Sequence, residues 1–71
     1  MSSEIKSPLT GSVWKLQIKE GDQVSAGQDV IILESMKMEF SVSADREGIV
    51  KQILIKEGDQ VTEGDLLVLV S

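Results

Sequence analysis

The apolar positions of the chain fall into two related series. Trp14, Leu16 and Ile18 alternate with Lys15, Gln17 and Lys19, the period of two that sets one side of a strand against a core and the other in water. Further along, Ile53 and Ile55 keep that register, with Lys51 where Trp14 stood. Val30-Ile31-Ile32-Leu33 and Leu66-Leu67-Val68-Leu69-Val70 are short unbroken apolar runs. Such runs suit strands covered on both faces or closing a barrel. Glu20-Gly21-Asp22, Glu57-Gly58-Asp59 and Ser7-Pro8-Leu9-Thr10-Gly11 read as turns, from their glycines and proline. No segment carries a helical stripe with caps. The pattern predicts an all-β domain of about seven or eight short strands. Val13, Leu16, Ile18, Val30, Ile32, Ile53, Ile55 and Leu67 are its expected core, and Trp14 is expected to pack with Leu16 and Ile18.

The two series are copies of one unit. Residues 11–34 align with 48–71, and ten of the twenty-four pairs are identical, seven of them in the unbroken run IKEGDQV. The six glycines form three matched pairs, Gly11/Gly48, Gly21/Gly58 and Gly27/Gly64. Both copies therefore turn at the same places. Two copies are too few for a solenoid and suit a closed fold with a pseudo-twofold axis.

Between the copies lies Glu34-Ser35-Met36-Lys37-Met38-Glu39. A reversal is required here, yet the segment holds no Gly, Pro, Asn or Asp, the residues tight hairpins ask for. A local violation in an otherwise consistent sequence marks a functional site. Two of the three methionines flank a single lysine at this point. Core-filling methionines are the ordinary case, but a hairpin tip offers little room for burial. An exposed Met36-Lys37-Met38 tip is a flexible apolar rim around an amine. It suits covalent attachment of a group that must move between sites.

Composition narrows the classes. At 71 residues the chain is one domain, residues 1–71. A hydrophobic fraction of 41 % with 27 % charged residues is that of a globular fold. A net charge of −5 argues against nucleic acid and anionic membrane surfaces as partners. Without cysteine or histidine there is no thiol nucleophile and no thiolate or imidazole metal ligand, and the commonest neutral-pH general base is missing. No catalytic residue and no metal site is expected. The acidic pairs Glu20/Asp22 and Glu57/Asp59 belong to the repeated turns and match no calcium loop. A cytoplasmic, monomeric domain is the expectation.

Glu34-Ser35-Met36-Lys37-Met38-Glu39, set between two Gly-Asp-x-Val repeats, resembles the attachment site of the biotinyl and lipoyl domain family. The resemblance runs from Ser7-Pro8-Leu9-Thr10-Gly11 to Leu66–Val70. It is closest to stand-alone biotin/lipoyl attachment proteins and to the carrier domain of biotin-dependent carboxylases. It implies a flattened barrel-sandwich hybrid of two four-stranded sheets with pseudo-twofold symmetry, its attachment lysine on a hairpin. Lys37 would be biotinylated by a biotin protein ligase and would shuttle carboxyl-biotin between biotin carboxylase and carboxyltransferase sites. The protein would be a non-catalytic carrier in a multi-component carboxylase. Met36 and Met38 match the flanking methionines of the motif, and Glu34 matches an acidic residue common in both branches of the family. With Ser35 they make up the implied recognition tip.

Two features depart from the pattern. Ser35 stands where many biotinyl domains have Ala, and the halves are joined without the thumb insertion of some bacterial carriers. The chain would meet its enzymes as a separate subunit or form part of a longer protein. Lipoate is the alternative group at the same lysine, although lipoyl domains usually lack the flanking methionines. An unmodified partner-binding β module is the rival from another class. A Schiff-base enzyme using Lys37 would need a buried, pKa-lowered amine.

Overall fold

The computed structural model describes residues 3–71. Eight strands follow one another: β1 (Ser3–Lys6), β2 (Gly11–Leu16), β3 (Gln23–Val24), β4 (Asp29–Ser35), β5 (Met38–Ser43), β6 (Gly48–Ile53), β7 (Gln60–Val61) and β8 (Leu66–Val70). They form two antiparallel four-stranded sheets, ordered β1-β8-β6-β3 and β5-β4-β2-β7. A shift of 37 residues converts one sheet into the other. Each sheet holds strands from both copies, so neither copy can complete a sheet alone. The expected two-sheet architecture with pseudo-twofold symmetry is what the chain adopts.

The repeated IKEGDQV run builds the joints between the copies. Gly21 and Gly58 both take φ 94°, a left-handed conformation that only glycine adopts without strain. Each turn then hydrogen-bonds to a strand of the other copy. Gly21 N–H donates to the Val50 carbonyl (2.9 Å), and Val50 N–H donates to that of Asp22 (2.8 Å). Gly58 N–H donates to Val13, and Val13 N–H to Asp59, both at 2.8 Å. The Asp22 and Asp59 carboxylates accept the Lys19 and Lys56 amides, each at 3.0 Å. The repeated acidic residues thus serve the turns. Among the described residues no three Asp or Glu side chains gather as a metal site.

Four β-bulges, in two symmetric pairs, decide which residues reach the core. Val13 pairs with Leu33 and Lys15 with Ile32, so Trp14 is the extra residue of β2. Lys51 holds the same place in β6. Val30 and Leu67 are the extra residues of β4 and β8. An extra residue breaks the strict alternation of a strand. At Val30 and Leu67 it turns two consecutive residues inward, and Val30, Ile31, Leu67 and Val68 are all fully buried. The unbroken apolar runs therefore owe their burial to a bulge as well as to the meeting of two sheets.

The same device corrects the expectation for Trp14. Val13 occupies the core and Trp14 the outer face, where it is 50 % exposed. The bulge leaves Lys15 on that outer face too and returns Leu16 to the core side, so Trp14 and Leu16 do not share a face. The alternation of Trp14, Leu16 and Ile18 is likewise not one strand: β2 ends at Leu16, and Ile18 enters the core from the following loop. Of the expected core residues, Val13, Ile18, Val30 and Leu67 are buried, and Leu16, Ile53 and Ile55 are half-buried against them. Ile32 differs. It lies between Ile31 and Leu33, which both face inward, so alternation directs it to the outer face, where it is half-buried. The core is otherwise aliphatic, with Ile5, Val24, Val42, Val50, Val61 and Val70 completing it. Truncating such a side chain costs about 2–5 kcal/mol.

Candidate functional site

Among the described residues one pair of consecutive strands forms a hairpin, β4 with β5, with six cross-strand pairs from Asp29↔Ser43 up to Ser35↔Met38. The strands run further than the sequence suggested. Glu34, Ser35, Met38 and Glu39 all belong to them, and only Met36 and Lys37 form the turn. A two-residue hairpin loop must follow the right-handed twist of its strands, and the type I′ turn that does so has φ > 0 at both positions. Met36 has φ 54° and Lys37 φ 64°. These are the only non-glycine residues with positive φ among those described. Each costs roughly 1–2 kcal/mol for an L-residue. The pairing below the turn enforces the conformation, and the expected absence of turn-forming residues becomes measurable strain.

The tip is exposed. Met36 is 92 % and Met38 60 % accessible, so both methionines stand out from the core, as an attachment rim requires. Ser35 is half-buried, and Glu34, Lys37 and Glu39 are exposed. Glu34 and Glu39 face each other directly across the hairpin, a like-charge pairing that disfavours the strand contact. No carboxylate lies within ion-pair distance of the Lys37 amine: the one ion pair among the described residues joins Lys6 to Glu4 at 3.8 Å. All five residues singled out in the sequence, Glu34, Ser35, Met36, Lys37 and Met38, thus meet within one hairpin end. An exposed amine on a two-residue turn is the opposite of the buried lysine that Schiff-base chemistry needs.

Two residues to which the sequence assigned no part in the site shape this end. Phe40 shares a face with Met38 and Val42, and exposure along that face rises toward the tip, from Val42 (6 %) through Phe40 (36 %) to Met38. The core thus continues as an apolar strip up to the lysine, and the spacing Met38, Phe40, Val42 was its signal. Gly11, the first residue of β2, lies against the end of β4. A Cβ there would sit 2.5 Å from the Glu34 carbonyl oxygen and 3.2 Å from the Ser35 Cβ. Its signal was the matched pair Gly11/Gly48.

Known proteins are similar to this chain in sequence and fold. The family model described as "Biotin-requiring enzyme" matches residues 2–70. A biotin/lipoyl attachment protein of Bacillus subtilis is 56 % identical over 63 residues, covering 89 % of this chain and 86 % of that protein. The crystal structure of the Kluyveromyces lactis urea carboxylase superposes with a TM-score of 0.93 at 42 % identity, over all of this chain and 6 % of that much longer one. The solution structure of the lipoyl domain from the 2-oxoglutarate dehydrogenase complex of Azotobacter vinelandii gives a TM-score of 0.80 at 28 % identity, over 96 % of this chain and 94 % of that domain. A two-sheet fold with repeated halves, a strained lysine hairpin and these likenesses agree: the chain belongs to the biotin/lipoyl attachment family.

Proposed function

We propose that Lys37 carries a covalently bound biotin and that the domain is the mobile-group carrier of a carboxylase. One observation carries the reading: a single amine, without an ion-pair partner, stands on a two-residue turn held by the six-pair hairpin of β4 and β5. Biotin has a carboxylic acid tail, and an exposed primary amine is the group that joins it in an amide. A biotin protein ligase would activate that carboxylate with ATP. Attack of the carboxylate on ATP would release pyrophosphate and give an acyl-adenylate. The Lys37 nitrogen, after losing its proton, would attack the acyl carbon, AMP would leave, and the protein would lose one positive charge as the amide forms. Bound biotin supplies a ureido nitrogen that accepts and releases a carboxyl group. The chain's own residues do the rest of the work. β4 and β5 hold the amine clear of the core, Met36 and Met38 present an apolar rim to partner sites, and the like-charged Glu34 and Glu39 give the tip an anionic flank.

The likeness to a segment of urea carboxylase supports carboxylase and carboxyltransferase sites as the partners. The methionines on both sides of Lys37 support biotin over lipoate. Lipoate at the same lysine is the second reading, favoured by the superposition on a lipoyl domain. The two are separated by intact mass after exposure to a biotin ligase or a lipoate ligase, with Lys37→Arg as the control.

A further inference from the structure

We infer that Gly11 is a positioning residue for the Lys37 tip, an inference that rests on the attachment reading above. Glu34 and Ser35 are the last residues of β4, directly before the left-handed turn. Any displacement of their backbone is passed to Met36 and Lys37, because a two-residue turn has no slack to absorb it. The element on the other side of that backbone is the start of β2, where Ser12 pairs with Glu34. At Gly11 the two strands approach so closely that a Cβ would lie 2.5 Å from the Glu34 carbonyl oxygen and 3.1 Å from the Leu9 Cδ1. Real contacts of that kind do not occur, and the nearest atom is backbone, which cannot rotate away. A methyl group at this position therefore pushes the root of the attachment hairpin outward.

The pseudo-twofold supplies a matched control. Gly48 is the counterpart of Gly11, and Ser71 that of Glu34. A Cβ on Gly48 would lie 2.5 Å from the Ser71 carbonyl oxygen and 2.6 Å from the Val70 Cγ1. The two sites carry the same backbone clash, yet only Gly11 lies beneath the lysine. Gly48 meets the end of β8, on the other side of the pseudo-twofold axis.

The experiment compares wild-type, Gly11→Ala and Gly48→Ala chains in two reactions. In the first, a biotin protein ligase with biotin and ATP modifies Lys37, and kcat and KM are determined by intact mass. In the second, an N-hydroxysuccinimidyl biotin ester acylates Lys37 chemically, followed by peptide mapping. Enzymatic attachment depends on where the amine is held, whereas chemical acylation depends on its exposure and basicity, which a shift of the exposed tip leaves alone. Misplacing a reacting group by about 1 Å costs up to roughly a hundredfold, so G11A should lose about ten- to a hundredfold in ligase kcat/KM, with its chemical acylation unchanged. G48A should remain within about twofold of wild type in both reactions, since its clash leaves the reacting amine in place. The inference is overturned if G11A is modified at the wild-type rate or if G48A loses as much. A G11A chain that does not fold overturns it as well, by making the close approach a requirement of the sheet. Failure of the ligase to modify the wild-type chain is a separate outcome, and refutes the attachment reading itself.

Discussion

The Glu57 carboxylate accepts the backbone amide of Leu16 at 3.0 Å, across 41 residues of chain. Its repeat mate Glu20 does the same for Ile53 at 3.1 Å. Each copy thus closes the last amide of the other copy's bulged strand. These amides stand where β2 and β6 leave their sheets, and a carboxylate reaching over from the opposite turn replaces the missing ladder partner. The two glutamates explain why the repeat preserves an acidic residue before each turn glycine.

Removing one such clasp should cost about 0.5–1.5 kcal/mol, the net worth of a hydrogen bond at a partly hydrated site. Glu57→Ala and Glu20→Ala should each lower the urea midpoint by a similar amount. Two equivalent sites without a shared partner add, so the double variant should lose the sum. A double variant no less stable than either single one contradicts the clasp.

The turn strain makes a prediction of opposite sign. Asn is the non-glycine residue that tolerates a left-handed conformation best. Met36→Asn should therefore raise stability by up to about 1 kcal/mol while leaving Lys37 in place. A loss of stability in urea titration would show that Met36 is not strained. The same variant should be a poorer ligase substrate, because half of the methionine rim is gone.

Lys37→Arg keeps the charge, the length and the left-handed backbone of an exposed tip. Its stability should lie within about 0.5 kcal/mol of wild type, and attachment should be abolished. Modification of the wild-type chain removes one positive charge, taking the net charge from −5 to −6, with a corresponding shift on a native gel. A Lys37→Arg chain that unfolds contradicts the exposed tip.

Trp14 offers a direct check of the bulge. It is the chain's one tryptophan and is half exposed, so acrylamide should quench native and urea-unfolded protein to comparable extents. Trp14→Lys, which copies Lys51 of the second repeat, should change stability by no more than about 0.5 kcal/mol. Leu67→Ala, in the core, should cost about 2–5 kcal/mol. A strongly protected indole would place Trp14 inside and refute the β2 register.

The sequence made much of this legible, for identifiable reasons. The repeat revealed the symmetry, since IKEGDQV forms the same inter-copy joint twice. The lysine hairpin stood out because Met36 and Lys37 fill positions that favour Asn or Gly. The bulges were hidden. Alternation assumes one residue per ladder step, and the extra residue at Trp14 lets Val13 and Leu16 both reach the core side while Trp14 lies outside. Trp14 paired with Lys51 in the repeat was the available clue, because a position that accepts lysine in one copy is not a core position in the other. Ile32 was misjudged for a related reason: within an apolar run, hydrophobicity alone does not say which face a side chain takes. The role of Gly11 required coordinates, since only they show the Glu34 carbonyl against it.

The central claim is covalent attachment at Lys37, and intact mass tests it most directly. The chain and its Lys37→Arg variant are each incubated with biotin, ATP and a biotin protein ligase, and in parallel with lipoate, ATP and a lipoate ligase. The wild-type chain should gain one biotinyl group, mapped to Lys37 and absent from the variant. An unchanged mass with both ligases, or a biotinyl group retained by Lys37→Arg, would contradict the claim.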